Sequence, residues 1–269
     1  MLNSKEGAPR PPARPLAVIT GASSGIGETF ARQLAPTHDL LLVARRGDRL
    51  LALSEELTRS HTVRVETLVA DLEKDEDIAR LSERFKTEPA FTLLVNNAGF
   101  GVGGAFWKGP LEPLDRMHKL HVVATLRLSH AALGVLVPRG EGAIINVASV
   151  AAYIRGAGSG SYAATKSWMT AFTEGLHLDL RKARSAVQVQ ALCPGFTYSE
   201  FHDVMGVSRE GRAPRSFWLT SESVVRASLR GLERRQLFVM PGWRYRLLTA
   251  IVTRLPSAAR LAFESARSR

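Results

Sequence analysis

The junction at residues 16–34 constrains the fold more than any other stretch. The apolar run Leu16-Ala17-Val18-Ile19 feeds Thr20-Gly21-Ala22-Ser23-Ser24-Gly25-Ile26-Gly27, after which Phe30, Ala31 and Leu34 recur at helical spacing. Strand, glycine turn and helix in that order make a dinucleotide-binding turn credible. Gly21 allows the tight turn, Gly25 lets backbone approach a pyrophosphate, and Gly27 permits close helix–strand packing. The helix start offers unpaired amides, with Ser23, Ser24 and Ile26 completing the turn. The spacing is G-x-x-x-G-x-G, and the competing reading is a glycine turn without function.

The rest of the chain continues this alternation. Short apolar runs at Leu40–Val43, Val63–Val69, Leu93–Val95, Ala143–Val147, Val187–Leu192 and Leu237–Val239 predict further strands. Helical patterns such as Arg49–Ser60 and Asp75–Phe85 separate most of them. The expectation is an α/β, doubly wound parallel sheet of about seven strands, with helices on both faces and ligands beyond the strands' carboxyl ends. At 269 residues and 45% hydrophobic, the chain can bury one large core. Residues 1–14, basic and bearing Pro9, Pro11 and Pro12, read as a disordered tail. Residues 15–241 read as the dinucleotide-binding and catalytic domain, and 242–269 as a basic amphipathic helical extension. A lone cysteine, Cys193, excludes an internal disulfide and offers no metal cluster; it reads as a core residue. No apolar run long enough to span a bilayer and no signal-peptide pattern is evident, so a cytoplasmic setting is expected.

Chemistry enters with Tyr162-Ala163-Ala164-Thr165-Lys166, thirteen residues after Ser149. On a helix, Tyr162 and Lys166 share a face. A phenol is too weak an acid or base near neutrality unless something shifts it, and a neighbouring ammonium favours its ionised form. Ser149 ends the apolar run that begins at Ala143, where a hydroxyl can hold a substrate oxygen. A Tyr–Lys pair four apart is also common on plain solvated helices, so its weight comes from the glycine turn upstream.

In this order and spacing, residues 20–27, Asn96-Asn97-Ala98-Gly99, Ser149, Tyr162 to Lys166 and Pro194-Gly195 resemble the short-chain dehydrogenase/reductase family, of the compact single-domain type. The resemblance implies hydride transfer between a nicotinamide and a carbonyl or alcohol. Tyr162 would be the acid–base, Ser149 a hydrogen-bond donor to the same oxygen, and Lys166 the group that biases the phenol and binds the ribose. It implies that Asp71 and Leu72 flank the adenine, and that Asn97, Ala98, Gly99, Pro194 and Gly195 line the cofactor, while Asn97 reads equally as a structural bond tying neighbouring strands together. NAD-binding members of this fold place an acid after the second strand. Here Ala44 stands there and Arg45 and Arg46 follow, a guanidinium pair suited to a phosphate, so NADP is expected. The resemblance implies that Arg45 grips the 2′-phosphate, and the competing reading is that both arginines are merely solvated. The family's relay asparagine aligns with His121, which reads either as its substitute in a proton relay or as a packed histidine.

Aromatic and apolar residues line the expected active face: Phe100, Val102, Phe106, Trp107, Tyr153, Ile154, Phe196, Tyr198, Phe201 and Met205. They predict a lipophilic substrate such as a steroid, a long-chain carbonyl or an aromatic ketone. Tyr162–Leu180 is apolar on more than one face and so needs a cover beyond the sheet. In the resembling family that cover is the matching helix of a second subunit, which implies a homodimer or homotetramer, and the alternative is the arginine-rich C-terminus folded across it. Residues 226–269 hold ten arginines and two glutamates, within a net charge of +11. Trp243–Leu255 has an apolar stripe between arginines, which fits a helix docked on the core or on a partner subunit. The alternative is peripheral contact with an anionic membrane surface. No nucleic-acid reading motif is present. An oxidoreductase acting on sugar nucleotides shares the Tyr–Lys pair but has different glycine spacing. A non-enzymatic NADP-binding regulator would have no need of Ser149 and Tyr162.

Overall fold

A computed structural model describes residues 14–198, 200 and 214–266. The tail expected at 1–14, apart from Arg14, lies outside them, as do Phe201 and Met205. The strands are β1 (Leu16–Thr20), β2 (Asp39–Ala44), β3 (Val65–Val69), β4 (Phe91–Asn96), β5 (Ala143–Val147), β6 (Gln188–Leu192), β7 (Thr197–Tyr198), β8 (Leu219–Thr220) and β9 (Phe238–Val239). Seven of them form one sheet in the order β3-β2-β1-β4-β5-β6-β9, and β7 pairs with β8 separately. All pairings are parallel. The chain order reverses between β1 and β4, which opens a crevice at their carboxyl ends.

Helices cover both faces: α1 (Gly25–Leu34), α2 (Gly47–Ser60), α3 (Asp75–Thr87), α4 (Glu112–His118), α5 (Thr125–Arg139), α6 (Gly160–Lys182), α7 (Ser221–Glu233), α8 (Trp243–Val252) and α9 (Ser257–Ala266). Strand side chains alternate between faces, so each strand feeds two cores. Ala17, Ile19, Leu40 and Leu42 pack with Phe30, Leu34, Leu50, Leu53, Leu57 and Val224 on one side. Leu16, Val18, Leu41 and Val43 pack with Ile78, Leu81, Phe85, Leu128 and Leu136 on the other. Burial on both faces is why β1 and β5 read as nearly continuous apolar runs, interrupted only by buried Thr20 and Asn146.

Three expectations need correction. The third strand starts at Val65 rather than Val63. The extension after residue 242 is two helices separated at Pro256, where the ring and missing N–H stop a helix. Residues Glu112–Arg139 form one continuous helical segment that by length and composition alone is apolar enough to cross a membrane. Its apolarity has another cause: Met117, Leu120, Ala124, Leu128, Ala132 and Leu136 are buried in the protein interior.

Candidate active site

The glycine turn and the loop after β4 meet in the crevice. Gly21 and Gly25 take left-handed backbone, at φ +67° and +57°. A Cβ on Gly27 would lie 2.3 Å from the Gly21 carbonyl oxygen and 2.5 Å from Asn97 Nδ2. Asn97 Nδ2 donates to the Thr20 carbonyl at 2.9 Å, and the Asn97 and Ala98 amides donate to Thr20 Oγ1 at 2.9 and 3.0 Å. Asn97 therefore ties two strand ends together, and Gly27 leaves room for the knot. Ser24 precedes α1 without capping it, so its side chain leaves the first-turn amides free for another acceptor.

Arg46, not Arg45, lies on the glycine turn. Its guanidinium donates to Ser23 Oγ at 3.0 Å and Ser24 Oγ at 2.8 Å. Arg45 turns to Glu73 at 3.2 Å, a carboxylate also held by Arg116 at 2.6 Å. Beyond β3, Asp71 accepts from the Glu73 amide at 3.2 Å, its own amide donates to Asp77 Oδ2 at 2.7 Å, and Leu72 is buried. These bonds shape the turn after β3 at the same edge of the sheet.

Ser149, Tyr162 and Lys166 come together where β5 ends and α6 begins. Ser149 caps a 3-10 turn, its Oγ accepting from the Ala151 amide at 3.1 Å, and it hydrogen-bonds the Tyr162 phenol. Buried Lys166 donates from Nζ to the last carbonyl of β5, on Val147, at 2.9 Å, and lies 5.8 Å from the Tyr162 ring centroid. The electrostatics differ from expectation. Burial pushes the Tyr162 phenol up to about 12, partly offset by the Ser149 hydrogen bond. Burial also pulls Lys166 down to about 7. Both charged forms are penalised by the same low-dielectric surroundings, so here the lysine does not lower the phenol as the spacing alone suggested.

His121 sits on a π-helical turn, Lys119–Ala124, inserted between α4 and α5. Such turns reset the direction of side chains within a helix. Its Nδ1 lies 2.9 Å from Thr165 Oγ1, and that hydroxyl donates to the Tyr162 carbonyl at 2.8 Å. With the hydroxyl proton committed, Nδ1 carries the imidazole hydrogen and donates. Nε2 is a buried acceptor without a hydrogen-bond partner among the described residues. Burial first, then Lys166 and His118, keeps the ring neutral, well below the usual histidine range. The ring meets Tyr162 edge-on, with centroids 5.9 Å apart.

The loop after β6 is braced from the far end of the chain. A Cβ on Gly195 would lie within 2.0 Å of the Tyr245 ring. Tyr245 Oη accepts from the Phe196 amide at 2.9 Å and donates to the Phe217 carbonyl at 2.8 Å. Buried Glu264 on α9 accepts from the Arg155 amide at 3.1 Å, beside the Ser149 turn. The terminal helices thus dock on two loops at the active face. Cys193 is buried just before Pro194, in the core as expected. Among the expected substrate walls, Phe106 and Trp107 are exposed, while Phe100, Tyr153, Ile154 and Phe196 are half-buried. Trp218, which sequence reasoning missed, packs on Phe196 and Tyr198 with centroids 5.4 and 5.0 Å away.

Comparison with known proteins agrees with this geometry. The family model described as short chain dehydrogenase matches residues 15–206. A short-chain dehydrogenase from Sphingobium yanoikuyae, solved in complex with NADPH, is 34% identical, with a TM-score of 0.81 over 91% of this chain and 97% of that one. A bulky-bulky ketone specific alcohol dehydrogenase from Comamonas testosteroni is 30% identical, with a TM-score of 0.76 over 91% and 96%. The 1-deoxy-11-beta-hydroxypentalenate dehydrogenase of Streptomyces exfoliatus is 32% identical across 80% of this chain and 85% of its own length. The chain belongs to the short-chain dehydrogenase/reductase family of oxidoreductases.

Proposed function

We propose that this protein is an NADP(H)-dependent oxidoreductase that interconverts a carbonyl and a secondary alcohol on a lipophilic substrate. The observation that carries the reading is the convergence of Ser149, Tyr162 and Lys166 at one strand end. The chain's residues fit a dinucleotide: Gly21 and Gly25 form the left-handed turn, Gly27 lets it pack against the Asn97 loop, and Arg46 lies across the two turn serines. When bound, the nicotinamide supplies or accepts the hydride.

In carbonyl reduction, Tyr162 gives its proton to the substrate oxygen as negative charge builds there, and Ser149 donates a hydrogen bond to the same atom. A phenol held near 12 is fully protonated at neutral pH yet still far more acidic than the alcohol that forms, so proton transfer to the developing alkoxide is favourable. Lys166, anchored on Val147, is set to hold ribose hydroxyls, and neutral His121 to pass a proton through its free Nε2. Arg46 supports NADP over NAD, as does the NADPH held by the Sphingobium relative. The half-buried aromatic walls, and the bulky ketones of the Comamonas relative, support a lipophilic substrate.

Two further expectations join the proposal. On α6, Leu178 is 59% exposed, and the stacked Trp168 and Phe172 are only partly buried, which supports pairing with a second copy. On α8, Tyr245, Thr249 and Val252 face the core, while Trp243, Leu247 and Ile251 are half or more exposed among Arg244, Arg246 and Arg254. That outer face supports peripheral contact with an anionic membrane surface.

The test is NADPH and NADH oxidation with a panel of steroid, long-chain and aromatic carbonyls. Turnover of bulky ketones with NADPH preferred is expected; no turnover of any carbonyl with either cofactor overturns the reading.

A further inference from the structure

The guanidinium of Arg46 that lies on Ser23 and Ser24 also grips a carboxylate from a distant part of the chain. Arg46 Nη1 donates to Glu200 Oε2 at 2.9 Å, and Arg49 Nη1 donates to Glu200 Oε1 at 2.6 Å. Glu200 follows β7, far in sequence from both arginines. One carboxylate thus bridges two guanidinium groups at the mouth of the glycine turn, with each oxygen on a different arginine. All three side chains are about two-fifths exposed, so small ions and ligands can reach the cluster. The Arg49 and Arg46 hydrogen bonds hold the Glu200 carboxyl below its usual range, so it is anionic at neutral pH.

We propose that Glu200 is a resident anion in the position that a cofactor's 2′-phosphate takes, and that it sets cofactor preference by competing for Arg46 and Arg49. The inference rests on the NADP reading above and adds a residue to it. Two guanidinium groups converging on one anion, one of them lying on the hydroxyls of Ser23 and Ser24, form a phosphate-type donor set. A phosphate offers more acceptor oxygens and more charge than a carboxylate, so it displaces Glu200 at a cost in apparent affinity. A nucleotide lacking the 2′-phosphate has no reason to disturb Glu200 and bears no such cost. The carboxylate therefore narrows the preference for the phosphorylated cofactor, and removing it widens that preference.

Calorimetric titration of the full chain with adenosine 2′,5′-bisphosphate and with adenosine 5′-monophosphate separates the cases, because the two probes differ only in the 2′-phosphate. For Glu200→Gln, the bisphosphate should bind about fivefold tighter, the range set by releasing two exposed ion pairs. Binding of the monophosphate should not change, which also reports that the variant is folded. The gain should vanish when Arg46→Leu is added. Bisphosphate affinity that is unchanged or weaker in Glu200→Gln overturns the proposal, since a weaker value would mean that Glu200 merely positions Arg46. If the wild type binds both probes alike and Arg46→Leu does not alter either, the NADP reading itself fails, a pattern distinct from failure at Glu200 alone.

Discussion

The imidazole of His121 occupies the space that a side chain at Gly99 would need, with Nε2 2.5 Å from where a Cβ would stand. A glycine whose family role suggested backbone approach to a cofactor has, in this chain, a packing reason of its own. His121 is wholly buried and bonded to Thr165, so it has nowhere to retreat.

Gly99→Ala should therefore destabilise the protein by about 1–3 kcal/mol through overpacking. Thermal or urea unfolding checks this, and a variant as stable as the parent would contradict the packing.

His121 itself gives a second prediction. Asparagine can still donate to Thr165 and present a polar atom toward the crevice, whereas leucine can do neither. His121→Asn should keep turnover within about tenfold of wild type, and His121→Leu should lose about a hundredfold. Equal turnover in the two variants would reduce His121 to a packed side chain.

The pH dependence follows from the raised phenol. Carbonyl reduction uses protonated Tyr162, so its rate should stay level through neutral pH and fall only as pH nears about 12. Alcohol oxidation uses the phenolate and should rise about tenfold per pH unit across the neutral and mildly alkaline range. Lys166, pulled down to about 7, loses its positive charge over the same range and cannot flatten that rise. Initial rates in both directions across the neutral and mildly alkaline range check it. An oxidation rate that plateaus near pH 7 would contradict the phenol's raised value.

Much of this site was legible before any coordinates. The strand–turn–helix junction at residues 16–34 and the serine, tyrosine and lysine are local patterns, and each sits where a strand or helix must put it. What escaped depends on contacts across the chain. Tyr245 against Gly195 and Glu264 against Arg155 join segments about 50 and 110 residues apart, and no periodicity announces them. The resemblance points to Arg45 as the arginine at the turn, but Glu73 draws it away and the adjacent Arg46 lies on Ser23 instead, a choice set by contacts that adjacent positions do not reveal. The π-helical turn at His121 has no compositional mark, and the burial that raises the Tyr162 phenol and lowers Lys166 is not recorded in their spacing.

Assembly gives a further prediction. With Tyr245 anchoring α8 to the loop after β6, the terminal helices leave the outer face of α6 partly open. The full chain should sediment as a dimer or tetramer, and a version ending at Gly242 should still associate if it folds. A full-length monomer that associates only after truncation would assign the tail as the cover and reject pairing through α6.

The most direct test of the central claim is single-turnover reduction of a bulky ketone by NADPH, with wild type and Tyr162→Phe compared alongside NADPH binding. Loss of the proton donor should slow reduction by about a hundredfold or more while NADPH affinity stays within about threefold. A Tyr162→Phe variant that reduces the ketone as fast as wild type would contradict the assignment of Tyr162 as the acid.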